Sequence, residues 1–301
     1  MPQLTPEQRA TFFEGLLKQR PMPFEKIKKT CFAEGVPDCS ATPRLRAIAW
    51  KLLLGYLPED RMQWHTFLAM QRLSYQAFFE ELNVDLRFEI KKDVDRTLPD
   101  YAFYNTSHRE GRVHHAAISR ILFVYAKLNP GIRYVQGMNE ILAPIYYVFC
   151  QEIEAAAADA SGASLKSLGE DSIMPTALEE ALKAVEADAF FCFTNLMAEL
   201  RDHFCSKLDH TVIGITAKIT ALERLIERLD QQLSTTLTRL RVSPTFYGFR
   251  WITLLMTQEW ELPDVLRFFD SLFADPRRDE TKSNFLIYFA ATMVRPRARS
   301  S

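Results

Sequence analysis

Apolar side chains in this chain recur at three- and four-residue spacing, which predicts helices. Phe12, Phe13, Leu16 and Leu17 follow a Thr5-Pro6 start with Gln8 three residues after Thr5, a capping box with proline at the first helical position. Ala47, Trp50, Leu53 and Leu54 follow Thr42-Pro43 and run to Gly55, which can supply a left-handed cap. Leu86, Ile90 and Val94 form a stripe on a helix that Pro99 limits. Val113, Ala117, Ile118, Ile121, Leu122 and Tyr125 predict a helix over 112–129, stopped by Asn129-Pro130-Gly131. A short extended connector, 132–135, then leads to a buried helix over 136–150. Helical spacing returns at 187–204, 213–229, 263–273 and 283–294. It also returns after Ser243-Pro244, where Phe246, Phe249, Ile252, Leu255 and Met256 predict one apolar stripe. No alternating pattern with Asn-Gly or Asp-Gly turns intervenes, so the expected fold class is all-α. No internal repeat is visible, which argues against a regular solenoid.

Large apolar residues thin out at Gln151, where a run of Glu, Ala, Ser and Asp begins, and the stretch 151–184 reads as a mobile insertion. Its alanines allow part of it to be helical. Over all 301 positions, 48% hydrophobic and 25% charged residues suit a chain with a sizeable core. A net charge of −1 gives no overall attraction to nucleic acid or to an acidic membrane, so any polyanion site must be local. Five scattered cysteines with no C-x-x-C pair suit reduced, packed thiols and a cytoplasmic protein. The N-terminus lacks the apolar core of a signal peptide. The longest apolar runs, 141–150 and 285–294, are shorter than the roughly 20 residues that span a bilayer, so no transmembrane segment is expected.

Zinc-protease, dinucleotide and P-loop motifs are absent, which gives no support for a nucleotide or metal site in the chain itself. His114 and His115 point about 100° apart on a helix, a poor geometry for two ligands of one metal. No cofactor and no metal of its own are expected.

Two segments carry more information: Ile90-Lys91-Lys92-Asp93-Val94-Asp95-Arg96-Thr97 and Tyr134-Val135-Gln136-Gly137-Met138-Asn139. Together they resemble the I-x-x-D-x-x-R and Y-x-Q signatures of TBC-domain Rab GTPase-activating proteins. Arg46-Ala47-Ile48-Ala49-Trp50, after Gly35-Val36-Pro37, resembles the R-x-x-x-W segment that opens that domain. Phe249-Arg250-Trp251 through Phe269-Asp270 is similar to its F-x-R-W and W-D region, with Phe269 where the family usually has Trp. Order and spacing agree over about 35–290. The resemblance implies an N-terminal helical extension over 1–34 and a two-lobed helical domain over 35–301. Its lobes would be about 35–150 and 185–301, flanking the insertion, with a groove for the GTPase. After Val294 it leads us to expect a further helix or two. It also implies that Arg96 and Gln136 are supplied to a GTP-bound Rab, whose own phosphate loop holds GTP and magnesium, and that recruitment to endomembranes for vesicle trafficking runs through the Rab.

The residue types suit that chemistry. Phosphoryl transfer spreads charge over equatorial oxygens, which a planar guanidinium stabilises more in the transition state than before it. A carboxamide can accept from the attacking water and donate to a phosphate oxygen. Helical spacing turns Arg96 about 120° away from the apolar stripe, free to extend. Asp93, three residues earlier, is placed to orient the guanidinium or a basic neighbour such as Arg46. Gly137 would permit close approach of a partner backbone, while Tyr134 and Asn139 would support the Gln136 turn. Trp50, Arg250, Trp251 and Asp270 read as structural. The competing reading is an adaptor that binds a GTPase without catalysis, which would have no need of both Arg96 and Gln136.

Overall fold

Backbone groups at helix ends lack intrahelical partners, and flanking residues supply them here. The computed structural model describes residues 4–37, 44–78, 87–161, 165, 172–204, 214–278 and 285–294. Helix α1 (Pro6–Lys18) begins in the expected capping box, with Thr5 and Gln8 exchanging hydrogen bonds. Helix α2 (Phe24–Glu34), which the apolar pattern does not single out, follows it. Helix α3 (Arg44–Leu53) closes in a Schellman motif: Gly55 sits at φ 66°, its amide donates to the Leu52 carbonyl, and the Tyr56 amide donates to the Lys51 carbonyl. Its expected start at Thr42-Pro43 lies outside the described residues.

Helices α4 (Trp64–Ala77) and α5 (Arg87–Val94) precede α6 (Arg109–Leu128), the expected amphipathic helix. Asn129 ends α6 by donating its side-chain amide to the Tyr125 carbonyl at 2.8 Å. Helices α7 (Met138–Ser161) and α8 (Thr176–Phe204) enter the anticipated insertion from its two sides. The alanine run 155–158 has the propensity to carry α7 onward. Residues 162–164 and 166–171 lie outside the described residues. Helices α9 (Ile215–Leu229), α10 (Gln231–Arg239), α11 (Thr245–Thr253), α12 (Leu262–Phe273) and α13 (Phe285–Val294) follow, and the further helix expected after Val294 would fall outside the described residues. Among the described residues there is no strand, and the fold is all-α as expected.

The chain divides into two compact units, Met1–Met197 and Ala198–Ser301. In the first, α3 packs on α7 and α5 on α6, around fully buried Trp50, Tyr104, Tyr125, Tyr146, Phe149 and Phe193. Residues 185–197 belong to this unit, and buried charge gives the physical reason. Asp188 of α8 takes Lys51 at 2.9 Å, a bidentate Arg72 whose closer contact is 2.8 Å, and the Tyr56 hydroxyl at 2.9 Å. Lys51 also meets Glu152 at 2.8 Å. Two residues earlier on α8, Glu186 accepts from Tyr75 at 2.9 Å and from both arms of Arg120. Burial opposes charge on Lys51, but Asp188 and Glu152 outweigh it and raise the ammonium pKa. Burial likewise opposes charge on Asp188, yet Lys51 and Arg72 hold its carboxyl below the ordinary 3.8.

In the second unit, α9 packs against α10, α11 and α13. Trp260, Phe268, Phe285 and Phe289 form an aromatic cluster with ring centroids 4.9–5.6 Å apart. The expected apolar stripe on α11 is only partly realised. Ile252, Leu255 and Met256 are buried, but Phe246 and Phe249 are 78% and 47% exposed. A side chain added at Gly248 would meet Leu222 of α9 at 2.9 Å, so the close approach there makes Gly248 and Ile252 the inward face. Positions 246 and 249 therefore turn outward.

Removing one partner of a buried ion pair leaves the other charge uncompensated, at a cost of about 3–5 kcal/mol. Asp188→Asn should destabilise the protein by that order at neutral pH. The folded pKa of Asp188 is depressed, so its contribution is complete above the ordinary 3.8 and lost as pH falls through the folded value. Urea unfolding across pH should show a constant gap between the parent protein and the variant above about 3.8 and a gap that narrows as pH falls from there through the folded value. A gap that instead widened on acidification would contradict the assignment.

Candidate functional site

Helix α5 buries Ile90, Asp93 and Val94 and ends at Val94, so Arg96 sits in the turn that follows. That turn is held by the Arg96 amide on the Asp93 carbonyl and the Thr97 amide on the Val94 carbonyl. The Arg96 side chain is 53% exposed and its Nη2 donates to Asp93 Oδ1. It thus lies close to a helix end, as expected; Leu86, the first residue of the anticipated stripe, is outside the described residues.

Gln136 is exposed, but it does not begin a helix: α7 starts at Met138, and Gln136 and Gly137 form the turn before it. Gly137 explains the difference, because its φ of 100° is incompatible with a right-handed first turn. Leu98 and Arg133, beside the two turns, also hold left-handed backbone at φ 42° and 63°. Strain of this kind concentrates at functional sites.

One buried carboxylate joins the two turns. Asp93 Oδ1 faces Arg96, while Oδ2 accepts from the Tyr134 hydroxyl at 2.7 Å. Asn139 completes the connection, donating to the Asp93 carbonyl at 3.1 Å and to the Thr97 hydroxyl at 2.9 Å. Burial and the Asp93 carboxylate both raise the Tyr134 pKa, which keeps the phenol protonated as a donor. The anticipated supporting residues Asp93, Tyr134 and Asn139 are thus brought together. Thr97 is a member that the sequence reading passed over, although its hydroxyl directly after Arg96 was the available signal.

The other residues singled out lie in separate settings. Arg46 of α3 donates to the Val36 carbonyl at 3.4 Å, while Asp93 is engaged by Arg96 and Tyr134. Trp50 is fully buried in the first unit. In the second, Trp251 packs on Tyr247 with centroids 5.1 Å apart, exposed Arg250 pairs with Glu259 at 2.7 Å, and Asp270 is fully buried. His114 stacks on Phe103 and shares a hydrogen bond with Tyr146 at 3.1 Å. The site therefore offers an exposed guanidinium and an exposed carboxamide on a buried frame. Those groups can stabilise charge and align a water.

Residues 43–298 match the family model of the Rab-GTPase-TBC domain. TBC1 domain family member 13 of Homo sapiens is 31% identical over 95% of this chain and 88% of its own length. TBC1 domain family member 22B of Homo sapiens is 28% identical over 94% of this chain and 52% of its own length. GTPase-activating protein GYP1 of Saccharomyces cerevisiae is 25% identical over 92% of this chain and 41% of its own length. This chain thus spans most of member 13 and about half of the other two. The crystal structure of the Ypt/Rab-GAP domain of Gyp1p shares the fold, with a TM-score of 0.79 and 22% identity over 97% of this chain and 85% of that one.

Asn139→Ala would remove two buried hydrogen bonds, one to the Thr97 hydroxyl and one to the Asp93 carbonyl, which keeps the Arg96 amide and the Thr97 hydroxyl as donors. A buried hydrogen bond contributes about 0.5–1.5 kcal/mol net, so urea unfolding should show a loss of about 1–3 kcal/mol for the pair. An unchanged midpoint would mean that the two turns are not joined through Asn139.

Proposed function

This chain belongs to the Rab-GTPase-TBC domain family, and from that premise we propose that it accelerates GTP hydrolysis by a Rab-family small GTPase. The observation that carries the reading is the pair of exposed side chains, Arg96 and Gln136, held on turns that share the Asp93 network. The names of GTPase-activating protein GYP1 and the Ypt/Rab-GAP domain support the same direction.

The GTPase, in its GTP-bound form, holds the nucleotide and magnesium in its own phosphate loop. Arg96 swings from Asp93 to the γ-phosphate, whose charge grows on the equatorial oxygens as the bond breaks. Asp93 keeps the guanidinium poised until then, which limits the entropy lost on engagement. Gln136 accepts a hydrogen bond from the attacking water and donates one to a γ-phosphate oxygen. Tyr134, Asn139 and Thr97 act at one remove, by fixing the two turns. The protein has no cofactor of its own in this scheme. It works in the cytoplasm, drawn to endomembranes by the Rab, and sets how long that Rab stays active in vesicle trafficking. None of the described helices is long and apolar enough to cross a membrane.

An arginine supplied in trans contributes about 10³–10⁵ in rate. Arg96→Ala should therefore nearly abolish stimulated phosphate release under single-turnover conditions, with the helical circular-dichroism spectrum retained and the melt lowered, because the buried Asp93 carboxylate loses one of its donors. Arg96→Lys should not restore it, since a compact ammonium lacks the planar fork. Retention of most of the stimulated rate by Arg96→Ala, across a panel of Rabs, would refute the role of Arg96.

A further inference from the structure

From Gln231 to Gln258 the chain carries no Asp or Glu and three arginines, Arg239, Arg241 and Arg250. This local imbalance stands out in a chain whose net charge is −1. Exposed apolar side chains share the stretch: Leu240 is 62% exposed, Phe246 78% and Phe249 47%. Phe246, Phe249 and Arg250 fall at helical positions i, i+3 and i+4 and so lie on one face of α11. Leu240 and Arg241 occupy the connection that feeds that face.

The backbone at Arg241 supplies an independent observation. Helix α10 closes in a Schellman motif, with the Arg241 amide on the Thr238 carbonyl and the Val242 amide on the Leu237 carbonyl. The residue in the left-handed position is Arg241, at φ 56°. Glycine fits that position without a steric penalty, and arginine does not. Its side chain is exposed, so packing does not account for the choice, and Arg239 and Arg241 make no ion pair among the described residues. Arg250 is partly neutralised by Glu259 at 2.7 Å.

We propose that the α10–α11 connection and the outer face of α11 dock on an anionic lipid membrane. Phe246, Phe249 and Leu240 enter the headgroup–acyl boundary, and Arg239 and Arg241 contact lipid phosphates and carboxylates. Cations interleaved with exposed aromatic and aliphatic side chains are the chemistry of an interfacial segment. The surface lies wholly within the second unit and does not depend on the GTPase reading.

The test is sedimentation of the full chain with vesicles of phosphatidylcholine alone and with about 30% phosphatidylserine. Binding is expected to the anionic vesicles only and to weaken as salt is raised. Arg239→Gln and Arg241→Gly should each weaken it roughly fivefold. Phe246→Ser with Phe249→Ser should weaken it further at constant charge. Arg241→Gly should also melt no lower than the parent protein, because it relieves the left-handed backbone, so lost binding cannot be put down to unfolding. No binding to anionic vesicles, equal binding to neutral ones, or binding that survives these changes and so comes from elsewhere, such as the arginines at 295, 297 and 299, would each overturn the proposal. So would sedimentation velocity showing that Phe246 and Phe249 instead join two copies of the chain.

Discussion

A carboxylate taken out of water must find donors, and Asp93 finds them on two separate turns. That requirement organises the first unit around its candidate site. One oxygen steadies Arg96 at the end of α5, and the other fixes Tyr134, two residues before Gln136. Asn139, at the start of α7, ties the Asp93 main chain and Thr97 into the same frame. The exposed groups can stay exposed because the residues that position them are buried. Such a frame is costly if half satisfied and rigid when complete, which suits the role proposed for the two exposed side chains.

The same logic recurs deeper in the unit. Glu186 and Asp188 project from α8 into a layer where each meets a bidentate arginine and a tyrosine, with Lys51 added at Asp188. These pairs connect α8 to α3, α4 and α6. They tie 185–197 to the elements of the first unit. Their net contribution to stability is smaller than their number suggests, because desolvation offsets much of the attraction, but each becomes expensive to break once formed.

The sequence was most informative where a feature is local. The capping box at Thr5, the glycine cap at Gly55 and the Asn129 stop could be read because each involves neighbours within a few positions. Arg96 and Gln136 stand out only through their motifs, which hold residue order that periodicity does not, and both side chains are exposed. Contacts between distant residues were not legible: nothing near Lys51 or Arg72 announces Asp188, more than a hundred positions away. Nor could the apolar pattern tell that Phe246 and Phe249 face outward, since that depends on how closely Gly248 approaches Leu222. The start of α7 was misplaced by two residues because a left-handed Gly137 reads, in sequence, like any helix-tolerated glycine.

The central claim is that Gln136 takes over the alignment of the water from the GTPase. Where a partner supplies only an arginine, the GTPase's own glutamine must orient the nucleophile, and its change to leucine removes stimulation. Single-turnover phosphate release from a Rab and from its glutamine-to-leucine variant, each with this protein and with Gln136→Ala, separates the two cases. The expected result is that the leucine variant remains stimulated within roughly tenfold of its parent, while Gln136→Ala fails on both. A leucine variant that binds this protein yet shows no stimulation would contradict the claim.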